Sequence, residues 1–297
     1  MADLDAVRIN FDAENLRWLN LCLGFIMFGV ALDLRVQQFR VLFRQPRSLV
    51  IGLLSQMVGL PLLTVGLVLL LQPMPGLGLG MLLVAVCPGG NVSNYATHLS
   101  GANTPLSVSM TTISTLSAAI STPLLFSVLA PLLPGSRGLG ALVQVEPWAM
   151  VGAMVQVILV PLVLGFLFQH FLPRLTARLL KPVKRLSMVV FLGFVAVVVA
   201  GNLAHIGRYV PYIFFYVFVH NAAALAMGYF WAQWNRLPEA DARAISLETG
   251  IQNSGLALAL IFNFFDGLGG MALIAAWWGV WHLVSAFGLA AYWKRRG

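Results

Sequence analysis

Charge is what this sequence has least of. Only 9% of its 297 residues are Asp, Glu, Lys or Arg, against about 25% in a typical water-soluble domain, while 59% are hydrophobic and the mean hydropathy is +0.86. That scarcity excludes an ordinary solvated globule. Cysteine is nearly absent too: Cys22 and Cys87 lie in separate apolar runs, without metal-ligand spacing, so neither a disulfide framework nor a zinc site is expected. Acidic N-terminal residues with no basic region before an apolar core argue against a cleaved signal peptide. No H-E-x-x-H, no G-x-S-x-G and no pair of intramembrane aspartates occurs, so intramembrane hydrolase chemistry has no support and is kept only as a remote alternative. The net charge of +8 does not form a basic face for nucleic acid, because the cations collect at the ends of apolar runs, where topology and lipid headgroups explain them.

What is present is a series of runs long enough to cross a bilayer core, which takes roughly 20 apolar residues of helix. They fall at about 16–34, 48–71, 76–100, 104–133, 147–170, 186–205, 209–234, 244–265 and 270–293. The expected fold class is an all-α polytopic membrane protein with nine transmembrane helices. Of the 18 Lys and Arg, all but Arg8, Arg17, Arg137 and Arg208 lie in the stretches 35–47, 174–185, 236–243 and 294–296, which nine spans place on one side. The positive-inside rule then puts the N-terminus outside and the C-terminus in the cytoplasm of a multi-pass cell-membrane protein.

Two spans are interrupted. "CPGGNVSN" (87–94) and "ETGIQNSG" (248–255) set proline or glycine among polar residues near mid-span, where helical hydrogen bonding fails and only protein or water can satisfy the freed backbone. The spans run in opposite directions, the sign of an inverted repeat with a site near the membrane midplane. Glu248 alone among the ten acids is expected to be deep, and an intramembrane charge costs at least about 2.5–3.5 kcal/mol, so function is its default reading. No Lys or Arg lies between Arg47 and Arg137 or between Arg243 and Lys294, so the counter-charge comes from solution. Hydroxyl, amide and main-chain oxygens suit a hard monovalent cation, sodium first, with a proton on Glu248 as the rival. In "LSVSMTTISTLSAAIST" (106–122), Ser107, Thr111 and Ser114 share one helical face. The helix N-termini after each break favour an anionic substrate group.

"CPGGNVSN", "LSVSMTTIST" and "ETGIQNSG", together with the flanks "GFIMFGVALDL" (24–34) and "WHLVSAFGLAAYW" (281–293), resemble the bile acid:sodium symporter family over most of the chain. The resemblance implies a first sodium site of Ser93, Asn94, Ser107, Thr111 and Glu248. It implies a second of Gln56, Glu248, Gln252 and the main-chain carbonyls of Thr249 and Ile251, with Asn91, Asn253 and His282 facing the substrate. His282 also reads as a packing histidine in a Trp-rich span, as do His98, His205 and His220. A core domain (48–133 and 209–293) would hold both broken helices and move against a panel domain (16–34 and 147–205), between an extracellular tail (1–15) and a cytoplasmic one (294–297). The expected activity is sodium-coupled import of an organic anion, such as a bile acid or small carboxylate, by alternating access. The alternative is proton-coupled transport with Glu248 as the titrating group. Sodium is the coupling ion and no cofactor is expected. Many bacterial relatives have ten spans and animal members nine, as here; Leu283 stands where some relatives carry Asn.

Overall fold

The computed structural model describes residues 13–32, 46–136, 146–200 and 203–296. It is 88% helical, and no strand occurs among the described residues. In chain order the helices are α1 Ala13–Ala31, α2 Pro46–Leu71, α3 Pro75–Val86, α4 Asn91–Leu99 and α5 Thr104–Leu129, which runs on through a 3₁₀ turn, Ala130–Leu132. Then come α6 Pro147–Phe171, α7 Pro173–Ala200, α8 Leu203–Trp234, α9 Glu239–Gly250, α10 Ser254–Phe264 and α11 Gly269–Arg296. Among the described residues, five stretches are long and apolar enough to cross a membrane: α2, α5 with its 3₁₀ turn, α6, Pro211–Trp234 of α8, and α11.

Local chemistry sets these boundaries. Pro46, Pro75, Pro147 and Pro173 open helices, where a missing N–H is harmless. The side chains of Asn103 and Asn253 cap α5 and α10 by accepting from the Leu106 and Leu256 amides at 3.1 and 3.0 Å. Inside α2 and α6 one turn widens to a π-helix, Ser55–Gly59 and Val155–Leu159, just ahead of Pro61 and Pro161. A proline ring clashes with the carbonyl four residues back, and the wider turn relieves that clash.

Four expectations change. The breaks are shorter than 87–94 and 248–255: helix resumes at Asn91 and persists to Gly250, leaving 87–90 and 251–253 extended. The basic stretch 174–185 is not a loop but the first half of α7, and only Leu172 separates α7 from α6. The tail 294–296 likewise continues α11, and residues 203–205, expected in the preceding span, belong to α8. Charged residues read as span ends in a hydropathy scan, yet Lys and Arg are good helix formers. The N-terminal tail expected outside lies beyond the described residues up to residue 12, as do Arg35, Arg40, Arg44 and Arg137.

The interrupted helices lie innermost. Every residue of α3 from Gly76 on and of α10 from Ser254 to Phe262 is buried. Here α3 packs on α11, α8 on α9, and α1 on α6 and α7. The outward faces stay apolar, with Leu70, Trp148, Val163 and Trp234 each about half exposed or more, the surface expected of helices that meet lipid rather than water.

Candidate functional site

The two extended segments cross antiparallel and complete each other. The Gly90 amide donates to the Ile251 carbonyl at 3.2 Å, and the Asn253 amide donates to the Pro88 carbonyl at 2.9 Å, which makes an isolated β-bridge between Gly89 and Gln252. Breaking a helix frees backbone groups that must find partners, and here each break supplies them to the other. The crossing leaves α4 and α10 starting, and α3 and α9 ending, at one place.

Glu248, in the last turn of α9, is fully buried there. Ser93 and Ser107 donate to its Oε1, each at 2.5 Å, and Thr111 lies 2.8 and 2.9 Å from its two oxygens. Asn94 joins through its Oδ1, which accepts from Ser107 at 2.8 Å and Thr111 at 3.1 Å. All five residues of the first sodium set implied by the resemblance thus meet in one oxygen cluster. Glu248 makes no ion pair among the described residues. Gly89 borders the carboxylate: a Cβ there would sit 2.7 Å from Glu248 Oε2 and 2.8 Å from Gln56 Nε2.

The second set gathers on the other side of Gly89. Gln56, in the π-turn of α2, and Gln252 both donate to the Glu248 carbonyl at 3.2 Å, and Gln252 donates to the Thr249 carbonyl at 2.9 Å. Ser55 pairs with the Thr249 hydroxyl at 2.9 Å. The Gln56 and Gln252 Oε1 atoms are buried with no hydrogen-bond partner. Two orphan amide oxygens beside a carboxylate can accept a cation, and leaving them unsatisfied costs about 1–3 kcal/mol each. The Ile251 carbonyl is engaged by Gly90.

Asn91, Asn253 and His282 line a cavity of about 460 Å³ that Gly89, Gly90 and Gln252 also line, so it adjoins the oxygen clusters. Its other side is formed by Ile26 and Met27 of α1 and by Arg185 and Ser187 of α7. His282 is buried with Nδ1 unpartnered, as is the Ser254 hydroxyl. Sequence reading does not single out Ser254 or Arg185; the first stood inside "ETGIQNSG" as a recognisable signal, the second was masked by its basic neighbours. His220 is a packing residue, paired with Thr64 at 2.7 Å and set against Trp278. The side chain of His205 lies outside the described residues. Asp241 is a second buried acid, satisfied by Ser48 at 2.6 Å and Asn103 at 2.7 Å in the first turn of α9. Cys22 and Cys87 are free thiols.

Among known proteins, the profile described as the Sodium Bile acid symporter family matches residues 20–208. An uncharacterized sodium-dependent transporter of Bacillus subtilis (strain 168), YocS, is 33% identical over 279 residues, covering 94% of this chain and 84% of that protein. A probable chloroplastic sodium/metabolite cotransporter of Oryza sativa subsp. japonica, BASS2, is 32% identical over 282 residues, and this chain spans 63% of its length. The corresponding BASS1 protein of Arabidopsis thaliana is 30% identical over 281 residues, of which 67% of its own length is covered. With the profile over 20–208 and such identity along nearly the whole sequence, this chain belongs to the sodium bile acid symporter family.

Proposed function

We propose that this protein is a sodium-coupled symporter that imports an organic anion by alternating access. The observation that carries the reading is the Glu248 cluster: a fully buried carboxylate with no Lys or Arg paired to it among the described residues, held by three hydroxyls and flanked by two unpartnered amide oxygens. In this reading Ser93, Asn94, Ser107, Thr111 and Glu248 bind one sodium ion. Gln56, Gln252, Glu248 and the Thr249 and Ile251 carbonyls bind a second, the Ile251 carbonyl using its other lone pair. The hydroxyls turn their lone pairs to the metal when it enters. Asn91, Asn253 and His282 contact the anion in the adjoining cavity. Sodium neutralises Glu248 and pins the two extended segments together, so ion and anion raise one another's affinity through the shared wall at Gly89, Gly90 and Gln252, and that coupling is reciprocal.

The proposed topology counts α3 with α4, and α9 with α10, as one crossing each, for nine spans. The antiparallel bridge at Gly89 and Gln252 supports an inverted repeat. Two contacts support gathering the cationic ends in the cytoplasm: Arg47 donates to the Asn235 carbonyl at 2.9 Å, and His98, Arg243 and Lys294 surround one surface hollow. Helices α2–α5 and α8–α11 form the core, and α1, α6 and α7 the panel that moves against it.

The deciding experiment is thermal unfolding in detergent, in sodium against potassium at equal ionic strength, for wild type and Glu248→Gln. A ligand that binds only the folded state adds RT ln(1 + [L]/Kd), about 2.7 kcal/mol at one hundred times Kd. Sodium-selective stabilisation lost in Glu248→Gln is the expected result. Equal behaviour in both salts, with stability that follows pH instead, would replace sodium by the proton.

A further inference from the structure

Among the described residues, Arg185, itself exposed, is the only charged one lining the cavity. It sits on α7, twelve residues from the helix start, and it makes no ion pair or hydrogen bond with any other described residue. Ser187, one half-turn further and facing the same cavity, is buried with its hydroxyl unpartnered. Across the cavity, the Ser254 hydroxyl and His282 Nδ1 are also buried and unpartnered. The remaining surface is largely apolar, from Ile26, Met27, Val92, Leu283 and Phe287.

A cavity with one uncompensated cation, hydrogen-bonding groups on opposite walls and apolar sides is complementary to an anion with an apolar body. We propose that Arg185 is the charge-reading residue of this transporter: it binds the carboxylate of the substrate, whose body extends between α1 and α11 towards the Ser254 and His282 side. This deepens the symporter reading and rests on it. Guanidinium and carboxylate match as paired planar donors and acceptors, and such charge-assisted bonds are about twice as strong as neutral ones. Arg185 and Ser187 belong to α7, whereas Ser254 and His282 belong to α10 and α11, so a bound carboxylate ties the two walls together. A neutral analogue of the same shape leaves Arg185 unpaired. The volume of about 460 Å³ falls in the usual range for small-molecule sites, roughly 300–1,000 Å³.

The test uses the full-length protein in saturating sodium and three monocarboxylates of rising apolar bulk: pyruvate, isovalerate and cholate. Each is compared with its primary amide. Affinities are read from thermal shifts and tryptophan fluorescence for wild type, Arg185→Gln and Arg185→Lys, with the sodium-dependent shift recorded for each protein. The expected result is that at least one carboxylate binds wild type while its amide does not, and that Arg185→Gln weakens it by roughly tenfold or more. Arg185→Lys should recover part of that loss, and all three proteins should keep the same sodium response. Equal carboxylate affinity in Arg185→Gln and wild type overturns the assignment, as does a sodium-responsive wild type that binds none of the three acids or binds acids and amides alike. Loss of the sodium response in wild type is instead a failure of the symporter reading.

Discussion

The break between α3 and α4 is made of a proline and two glycines, and the helix that follows contributes the hydroxyl of Ser93 and the amide of Asn94. The break between α9 and α10 has no proline, and its neighbourhood contributes the buried carboxylate and Gln252. Their backbones are interchangeable, each donating one amide and accepting one across the bridge. Their side chains are not. One segment makes room, the other brings charge, because two carboxylates so close would repel and two glycine-rich strands would leave nothing to bind with. The starts of α4 and α10 differ in the same sense. Gly90 leaves α4 without a side-chain cap, and Asn91 is exposed to the cavity, whereas Asn253 caps a buried α10.

That division of labour can be broken from either side. The largest effect is expected on the charged side: Glu248→Gln should abolish the sodium-dependent rise in melting temperature, about 2.7 kcal/mol at a sodium concentration one hundred times Kd, as followed by differential scanning fluorimetry. On the side that makes room, Gly89→Ala puts a methyl 2.7 Å from Glu248 Oε2, an overpacking that costs roughly 1–3 kcal/mol. Gly90→Ala meets nothing closer than the Gln252 carbonyl at 3.5 Å. Sodium titrations of the two alanines should therefore separate, with only Gly89→Ala shifted to about tenfold weaker binding or worse; coincident curves would remove the clearance argument.

A subtler contrast lies between the two oxygen clusters. Gln252→Leu removes one orphan acceptor and leaves the Ser93, Ser107 and Thr111 cluster intact, so the sodium dependence of stability should lose its cooperativity while a single binding step survives. A Hill slope unchanged from wild type would argue that Gln252 binds no ion. Smallest is the cap: Asn253→Ala should cost about 1 kcal/mol of stability, read as a lower melting temperature equally in sodium and in potassium. A cost seen only in sodium would mean that Asn253 serves the ion site rather than the helix.

Much of this was legible beforehand, and for physical reasons. In a chain so poor in charge, an acid within an apolar run stands out, and proline or glycine amid polar residues at that depth signals a broken helix. Helical period sets Ser107, Thr111 and Ser114 on one face, and the family resemblance picks out the first two. Helix bounds were less legible. Cations at 174–185 read as a loop although they form half of α7, and Asp241 read as a loop or span-end acid although it is buried and satisfied by Ser48 and Asn103. Arg185 shows why: absence of cations from the sequence windows around both breaks says nothing about a cation brought in by another helix.

The sequence by itself determined the all-helical character, the two breaks and the isolation of Glu248, because these depend on local propensity and on what apolar surroundings tolerate. Only the tertiary structure decided that the breaks cross, that Gly89 lies against the carboxylate, and that Arg185 looks into the cavity beside them. Those facts depend on which helix faces meet, and residues 137 to 192 positions apart along the chain come within bonding distance only when the packing of the whole bundle aligns them.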